Sequence, residues 1–133
     1  MLPRMLSRLD NEATLVRLAE GLRRKDVDSI LAEFADDGVF ETFAGPDPCG
    51  ERYAGKTAIR AALERAFKGP DFVIENIRRW PAGDRVVSEF TFVRISPTGE
   101  RKEFHGCDLF TMRDGKVLRK DTYLKFPRPS PSS

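Results

Sequence analysis

The feature that most restricts this chain is its second half, where four segments rich in β-branched and aromatic residues follow one another with only turn chemistry between them. Phe72 to Trp80, Val86 to Ile95, Lys102 to Met112 and Lys116 to Phe126 are separated by Pro81-Ala82-Gly83-Asp84, Pro97-Thr98-Gly99 and Asp114-Gly115. Each neighbouring pair therefore has the composition of an antiparallel hairpin. The first half is helical in pattern. From Ala13 the apolar residues Leu15, Val16, Leu18, Ala19 and Leu22 recur at helical spacing as far as Lys25. Asp26 is a natural N-cap for a second short helix carrying Val27, Ile30, Leu31 and Phe34, which the Asp36-Asp37-Gly38 turn ends. Val39 to Phe43 reads as a strand, Gly45 to Gly50 as a loop, and Gly55 with Thr57 leads into a helix along Ala58, Ile59, Ala62, Leu63, Ala66 and Phe67 that Gly69-Pro70 stops. The order α-α-β-α followed by a four-strand meander predicts an α+β fold with the helices packed on one face of the sheet.

A chain of 133 residues is long enough to bury one core, and residues 1–126 read as a single domain. The Pro/Ser-rich tail 127–133 is expected to be disordered. Two cysteines, Cys49 and Cys107, make neither a disulfide framework nor a CxxC pair, which predicts a reducing compartment and no structural zinc. A single histidine argues against a multi-histidine metal site. The net charge of +2 is dispersed, which argues against nucleic acid as a partner. No apolar stretch approaches the ~20 residues of a membrane span, and Met1 to Leu9 lacks a signal-peptide core, so the expected location is the cytoplasm. Neither a dinucleotide fingerprint nor a P-loop is present, and no cofactor is expected.

The element order, taken with Phe34-Ala35-Asp36-Asp37-Gly38-Val39-Phe40, Tyr53-Ala54-Gly55-Lys56-Thr57-Ala58-Ile59-Arg60, Gly106-Cys107-Asp108-Leu109-Phe110 and Asp114-Gly115-Lys116-Val117, resembles the nuclear transport factor 2-like superfamily, in its SnoaL-like and ketosteroid isomerase-like branch, over residues 11–126. The resemblance implies a cone in which a curved antiparallel sheet wraps around helices, leaves an apolar cavity, and forms homodimers. Its members include polyketide cyclases, isomerases, epoxide hydrolases, dehydratases and non-catalytic binding proteins, so the fold alone does not fix the activity.

Transferred residue by residue, the family's catalytic groups are mostly missing. The isomerase base falls at Thr42 and its oxyanion tyrosine at Leu18. The epoxide-hydrolase set falls near Glu89, Thr91 and Thr122, and the dehydratase pair near Leu22 and Arg23. None of these residues can perform those roles. Asp108 alone matches, at the position where the isomerases keep an aspartic acid neutral in an apolar site to bind an oxyanion.

Period-two alternation puts Asp108 on the same strand face as Phe104, Phe110 and Met112. A carboxyl among such neighbours needs a raised pKa or a partner, so the alternatives are a catalytic acid and a plain ion pair. The hairpin register bears on this. A two-residue Asp114-Gly115 turn sets Asp108 opposite Asp121, whereas a three-residue loop sets it facing Lys120, brings Thr122 to the pocket face and turns Asp121 away. His105 lies on the opposite face from Asp108 unless a bulge at Gly106 turns it inward, where its near-neutral pKa would suit proton transfer. The candidate catalytic residues are thus Asp108, Asp121 and His105. Candidate pocket residues are Phe40, Thr42, Tyr53, Trp80, Phe90, Phe92, Phe110 and Thr122, with the cavity between the third helix and the sheet, although aromatic residues in a small core are often only filler.

Two functions fit. One is a cofactor-independent isomerase, cyclase or dehydratase that moves a proton on a polyketide- or steroid-like substrate. The other is a non-catalytic module of the same fold that binds an apolar small molecule or a protein.

Overall fold

The computed structural model describes residues 2–129. It contains α1 (Leu2–Arg24), α2 (Val27–Ala32), β1 (Phe34–Glu41), β2 (Arg52–Ala54), α3 (Lys56–Lys68), β3 (Asp71–Ala82), β4 (Arg85–Ile95), β5 (Arg101–Arg113) and β6 (Lys116–Leu124). The six strands form one curved, unclosed sheet in the order β2-β1-β6-β5-β4-β3. Every neighbouring pair is antiparallel except β1 and β6, which run parallel. The helices cover the concave face, as in the expected α+β cone.

Three boundaries differ from the sequence reading, each for a local reason. Helix α1 begins near the chain start rather than at Ala13, because apolar periodicity marks only the stretch that meets the core. Leu15 and Leu18 are buried, whereas Leu9 is 61% exposed. Helix α2 stops at Ala32, and Phe34 already belongs to β1, where it pairs with Val117 of the parallel neighbour. The Asp36-Asp37-Gly38 segment is an irregularity within β1 rather than a helix-ending turn, and Asp37 is held there by Arg113. Strand β2 is too short to show an alternation, and it forms because Tyr53 lies opposite Phe40 and Arg52 opposite Glu41. Of the tail, residues 127–129 carry no regular structure, and residues 130–133 lie outside the described residues.

The core joins Leu15 and Leu18 of α1, Ile30 and Leu31 of α2, and Ile59 and Leu63 of α3 to Val86, Phe110, Met112 and Val117 of the sheet. Asp26 caps α2 by accepting a hydrogen bond from the Ser29 amide at 3.2 Å. Gly21 sits mid-helix because a Cβ there would come within 2.9 Å of Ile30 Cγ1, so the glycine sets how closely α1 approaches α2.

Two one-residue bulges decide which side chains face the helices. In β3 the pairing with β4 shifts between Glu75 and Arg78, and Asn76 adopts the left-handed conformation there, with φ 55°. In β6 the pairing with β5 shifts between Thr111 and Met112, leaving Leu118 as the extra residue. The Asp114-Gly115 hairpin is a two-residue turn with positive φ at both positions, 51° and 73°, as a type I′ turn requires.

On the outer face, Glu41 pins β1 between its two neighbours. It is fully buried, with Arg52 Nε donating to Oε2 at 2.7 Å and Arg119 Nε donating to Oε1 at 2.6 Å. Burial pushes this carboxyl up, but the hydrogen bonds and charge of Arg52 and Arg119 outweigh it and hold the group below the ordinary value of 4.5. A depressed folded pKa contributes stability that is present above the unfolded value and is lost as pH falls through the folded one. Glu41→Gln should therefore flatten the pH dependence of the urea midpoint below about pH 4.5. A slope equal to that of the wild type would separate this carboxylate from folding.

Candidate functional site

The bulge in β3 aligns four polar residues in one cross-strand row on the concave face. Arg79 of β3 pairs with Ser88 of β4, Ser88 with Asp108 of β5, and Asp108 with Thr122 of β6. Ser88 and Asp108 are buried, 4% and 7% exposed. An apolar row borders each side of this line. Val86 and Phe110 lie on one side and run on to Lys120, whose parallel partner is Phe40. Phe90, Gly106 and Leu124 lie on the other. Gly106 is required there, since a Cβ would sit 2.5 Å from a Leu124 methyl and 2.7 Å from the Phe90 ring.

Asp108 has the partner that its burial demands. Thr122 Oγ1 donates to Asp108 Oδ1 at 2.6 Å, Lys120 Nζ donates to the same oxygen at 3.3 Å, and Lys120 Nζ also donates to Thr122 Oγ1 at 3.0 Å. The ammonium lies 4.8 Å from the centroid of the Phe40 ring, a cation–π contact that adds to its stabilisation. Asp108 Oδ1 thus accepts two hydrogen bonds. Both hydrogen bonds to Asp108 fall on Oδ1; among the described residues no protein group hydrogen-bonds Oδ2 or Ser88 Oγ, and neither atom is completely shut off from solvent. At the far end of the row, Arg79 reaches α1, donating to the Leu15 carbonyl at 3.4 Å and lying 3.6 Å from Glu12.

The register that produces this cluster is neither of the two weighed from sequence. The hairpin has the two-residue turn, but the extra residue Leu118 then moves Thr122, not Asp121 or Lys120, opposite Asp108. Asp121 consequently pairs with Leu109 and lies on the outer face, 3.5 Å from Arg119. His105 is exposed on the outer face too. The β4–β5 pairing runs without a shift through Thr91, His105 and Gly106, so no bulge turns it inward. Trp80 is also outside, 47% exposed, because the bulge at Asn76 reverses the facing of β3 beyond it. Three residues expected to share the pocket with Asp108 therefore do not.

Of the remaining pocket residues, Phe40, Tyr53, Phe90, Phe92, Phe110 and Thr122 all lie on the concave side. Thr42 instead closes the loop after β1, donating to Ala44 O at 2.9 Å and accepting from the Glu51 amide at 3.1 Å. Phe110 belongs to the packed core rather than to a cavity wall. Two surface hollows of about 420 and 370 Å3 are lined by neither Asp108 nor Ser88: the first, at the Arg79 end of the row, by Leu9, Glu12, Pro81 and Val86, and the second by Asp28, Leu31 and Arg60. Sequence reasoning missed Ser88 and Arg79. A serine within the same-face run Val86, Ser88, Phe90, Phe92 was a usable signal for the first, whereas the bulge hid the second. Among the described residues, no three His, Cys, Asp or Glu side chains converge as metal ligands.

This cone, with a polar row across its concave wall, defines the nuclear transport factor 2-like fold. Within that class the chain belongs to the SnoaL-like domain family, whose model matches residues 15–120. Solved structures agree. A provisionally assigned polyketide cyclase from Xanthomonas campestris pv. campestris superposes with a TM-score of 0.78 at 23% identity, covering 90% of this chain and 93% of that one. TerC, co-crystallized with polyporic acid, gives 0.74 at 23%, covering 87% and 92%. A provisionally assigned isomerase from Bacillus subtilis gives 0.76 at 21%, covering 90% and 88%. At these identities the likeness speaks for the fold. No curated protein matches the sequence.

The Lys120–Asp108 pair yields a stability prediction. Asp108→Leu leaves an ammonium that is only 13% exposed without its acid, and should cost about 3 kcal/mol in urea unfolding. Adding Lys120→Met to that variant should return stability to within about 1 kcal/mol of wild type. Additive losses in this cycle would mean that the two groups do not stabilise the fold as a pair.

Proposed function

We propose that the chain is a cofactor-independent enzyme of the isomerase, cyclase or dehydratase type, moving a proton on a polyketide- or steroid-like small molecule. The observation that carries this reading is the buried row itself. A domain of this size gains nothing for stability from an acid, a base and a hydroxyl that apolar side chains could replace. Asp108 Oδ2 and Ser88 Oγ, which take no hydrogen bond from the protein among the described residues, are where a reacting molecule would bind.

In the proposed step, Asp108 Oδ2 takes a proton from the carbon next to a substrate carbonyl, and the released electron pair moves onto the carbonyl oxygen. Lys120 turns one N–H from Thr122 to the enolate oxygen that forms, and Thr122 keeps Asp108 Oδ1 in place. The proton then returns to another carbon of the conjugated system. Asp121 and His105, from the outer face, take no part. The neighbouring polyketide cyclase and isomerase folds and the polyporic acid held by TerC support a substrate of this size and chemistry.

Deuterium exchange at the acidic carbon of 2-tetralone, followed by NMR, tests the step without knowledge of the natural substrate. The wild type should accelerate exchange, and Asp108→Asn should lose about 100-fold or more of that acceleration. Exchange at the buffer rate, with tetralone bound all the same, would select the second reading, a non-catalytic ligand-binding module. That reading draws on the packed Phe110 and on Thr42 and Leu18, which stand where relatives keep catalytic groups.

The outer sheet face is proposed as a homodimer interface. Trp80 is 47% and Tyr123 53% exposed there, and Val87 and Leu109 continue the strip from Trp80. Light scattering at micromolar concentration should give twice the chain mass for the wild type and the single chain mass for Trp80→Glu. A monomeric wild type would remove the proposal.

A further inference from the structure

Six phenylalanine rings line the open end of the cone in an unbroken series. Phe67 stacks on Phe72 at 6.0 Å, Phe72 on Phe92 at 5.1 Å, and Phe92 meets Phe104 at 6.0 Å. Phe104 then meets Phe126 edge-on at 5.4 Å, and Phe126 meets Phe43 at 5.5 Å. Of the inner members, Phe67 is on α3 and Phe72, Phe92 and Phe104 are on strands; Phe104 is buried and the other three are half-buried. The last two, Phe126 and Phe43, lie outside regular elements and are 55% and 41% exposed.

Two cations sit on this series without acids to answer them. Arg94 of β4 and Lys102 of β5 are cross-strand partners, and each lies 5.5 Å from the centroid of Phe104. Neither has a carboxylate within salt-bridge reach among the described residues, whereas Lys25, over Phe72, is held by Asp71, and Arg101 by Glu75. Two like charges on adjacent strands repel unless an anion lies between or beside them. Arg94, Lys102 and the Phe126 ring all lie within 5.5 Å of the Phe104 centroid, which sets the two cations beside an exposed aromatic ring.

We propose that Arg94 and Lys102, held over the buried Phe104, form with the exposed Phe43 and Phe126 a subsite for a planar aromatic anion, the ring lying against Phe43 and Phe126 and the carboxylate, sulfonate or phenolate reaching the two cations. This deepens the reading above, on which it rests, by making the substrate an acidic aromatic rather than a neutral one. The subsite lies on the same sheet face as Asp108, four residues away along β5, on the far side of the Phe90–Gly106–Leu124 row.

Fluorescence titration with 1-anilinonaphthalene-8-sulfonate and its uncharged parent N-phenyl-1-naphthylamine tests the charge requirement on one ring skeleton. The wild type should bind the sulfonate about 10-fold more tightly than the parent, a preference that 0.5 M salt reduces. Arg94→Gln/Lys102→Gln should abolish the preference and leave the parent's affinity unchanged, whereas Arg23→Gln/Arg60→Gln, which removes two charges from helix surfaces, should retain it. Phe126→Ala should weaken both probes. Equal affinities in the wild type, a preference that survives the Arg94/Lys102 substitutions, or no binding of either probe would overturn the subsite. Catalysed tetralone exchange without an anion preference would leave the proton-transfer reading standing alone, and a preference without exchange would leave the subsite and sink that reading.

Discussion

A single residue added to a strand reverses the facing of every side chain beyond it, and this constraint governs the concave wall of the protein. With Asn76 accommodated as a bulge, β3 turns Phe72 and Ile74 toward the helices, and then Arg79 and Pro81 in place of Trp80. With Leu118 as the extra residue in β6, Thr122 and Lys120 meet Asp108 while Asp121 turns to the other side. Without the two bulges, a bulky indole would enter the core and two carboxylates would oppose each other across β5 and β6. The polar row exists because both shifts occur.

The row also explains how a small core tolerates charge. Asp108 and Lys120 neutralise each other, Thr122 donates a second hydrogen bond to Asp108 Oδ1, and Phe40 covers the ammonium with an aromatic face. On the outer face the same economy appears as a buried Glu41 between two arginines. The two clusters stand back to back through β1 and β6, where Phe40 pairs with Lys120 and Glu41 with Asp121. Ionic groups therefore stand on both sides of one parallel pair, at the point where no hairpin connects the strands.

Much of this was legible in the sequence. The four-strand meander, the α3 pattern and the Asp26 cap rest on local signals, namely alternation, turn residues and a capping side chain, and each is found where its signal stood. Asp108 was legible because alternation within β5 is unbroken from Phe104 to Met112. What was illegible depends on partners distant in the chain. Strand β2 is three residues whose reason to exist is β1, and the early start of β1 follows from Val117. The facing of Trp80 depends on a left-handed asparagine that a propensity reading passes over. The facing of Asp121 depends on Leu118, whose sequence neighbours give no sign of irregularity. The family resemblance supplied the cone and the match at Asp108, while the Lys120 and Thr122 contacts to it follow from the bulge at Leu118.

The parallel pairing of β1 with β6 joins Phe34 to Val117 and Glu41 to Asp121, residues that lie far apart along the chain. The meander from β3 to β6 can assemble through successive hairpins at little loop-closure cost, whereas β1 must wait for the whole intervening chain to order before its contacts compensate the lost entropy. During synthesis, β1 and the two helices before it leave the ribosome long before their strand partner does. The edge of β6 that β1 will occupy is then exposed on a nearly complete sheet, and Arg119, waiting for Glu41, places a charge on that edge of the kind that discourages pairing with another chain. The ionic cluster that locks the finished sheet thus also guards it while it is unfinished.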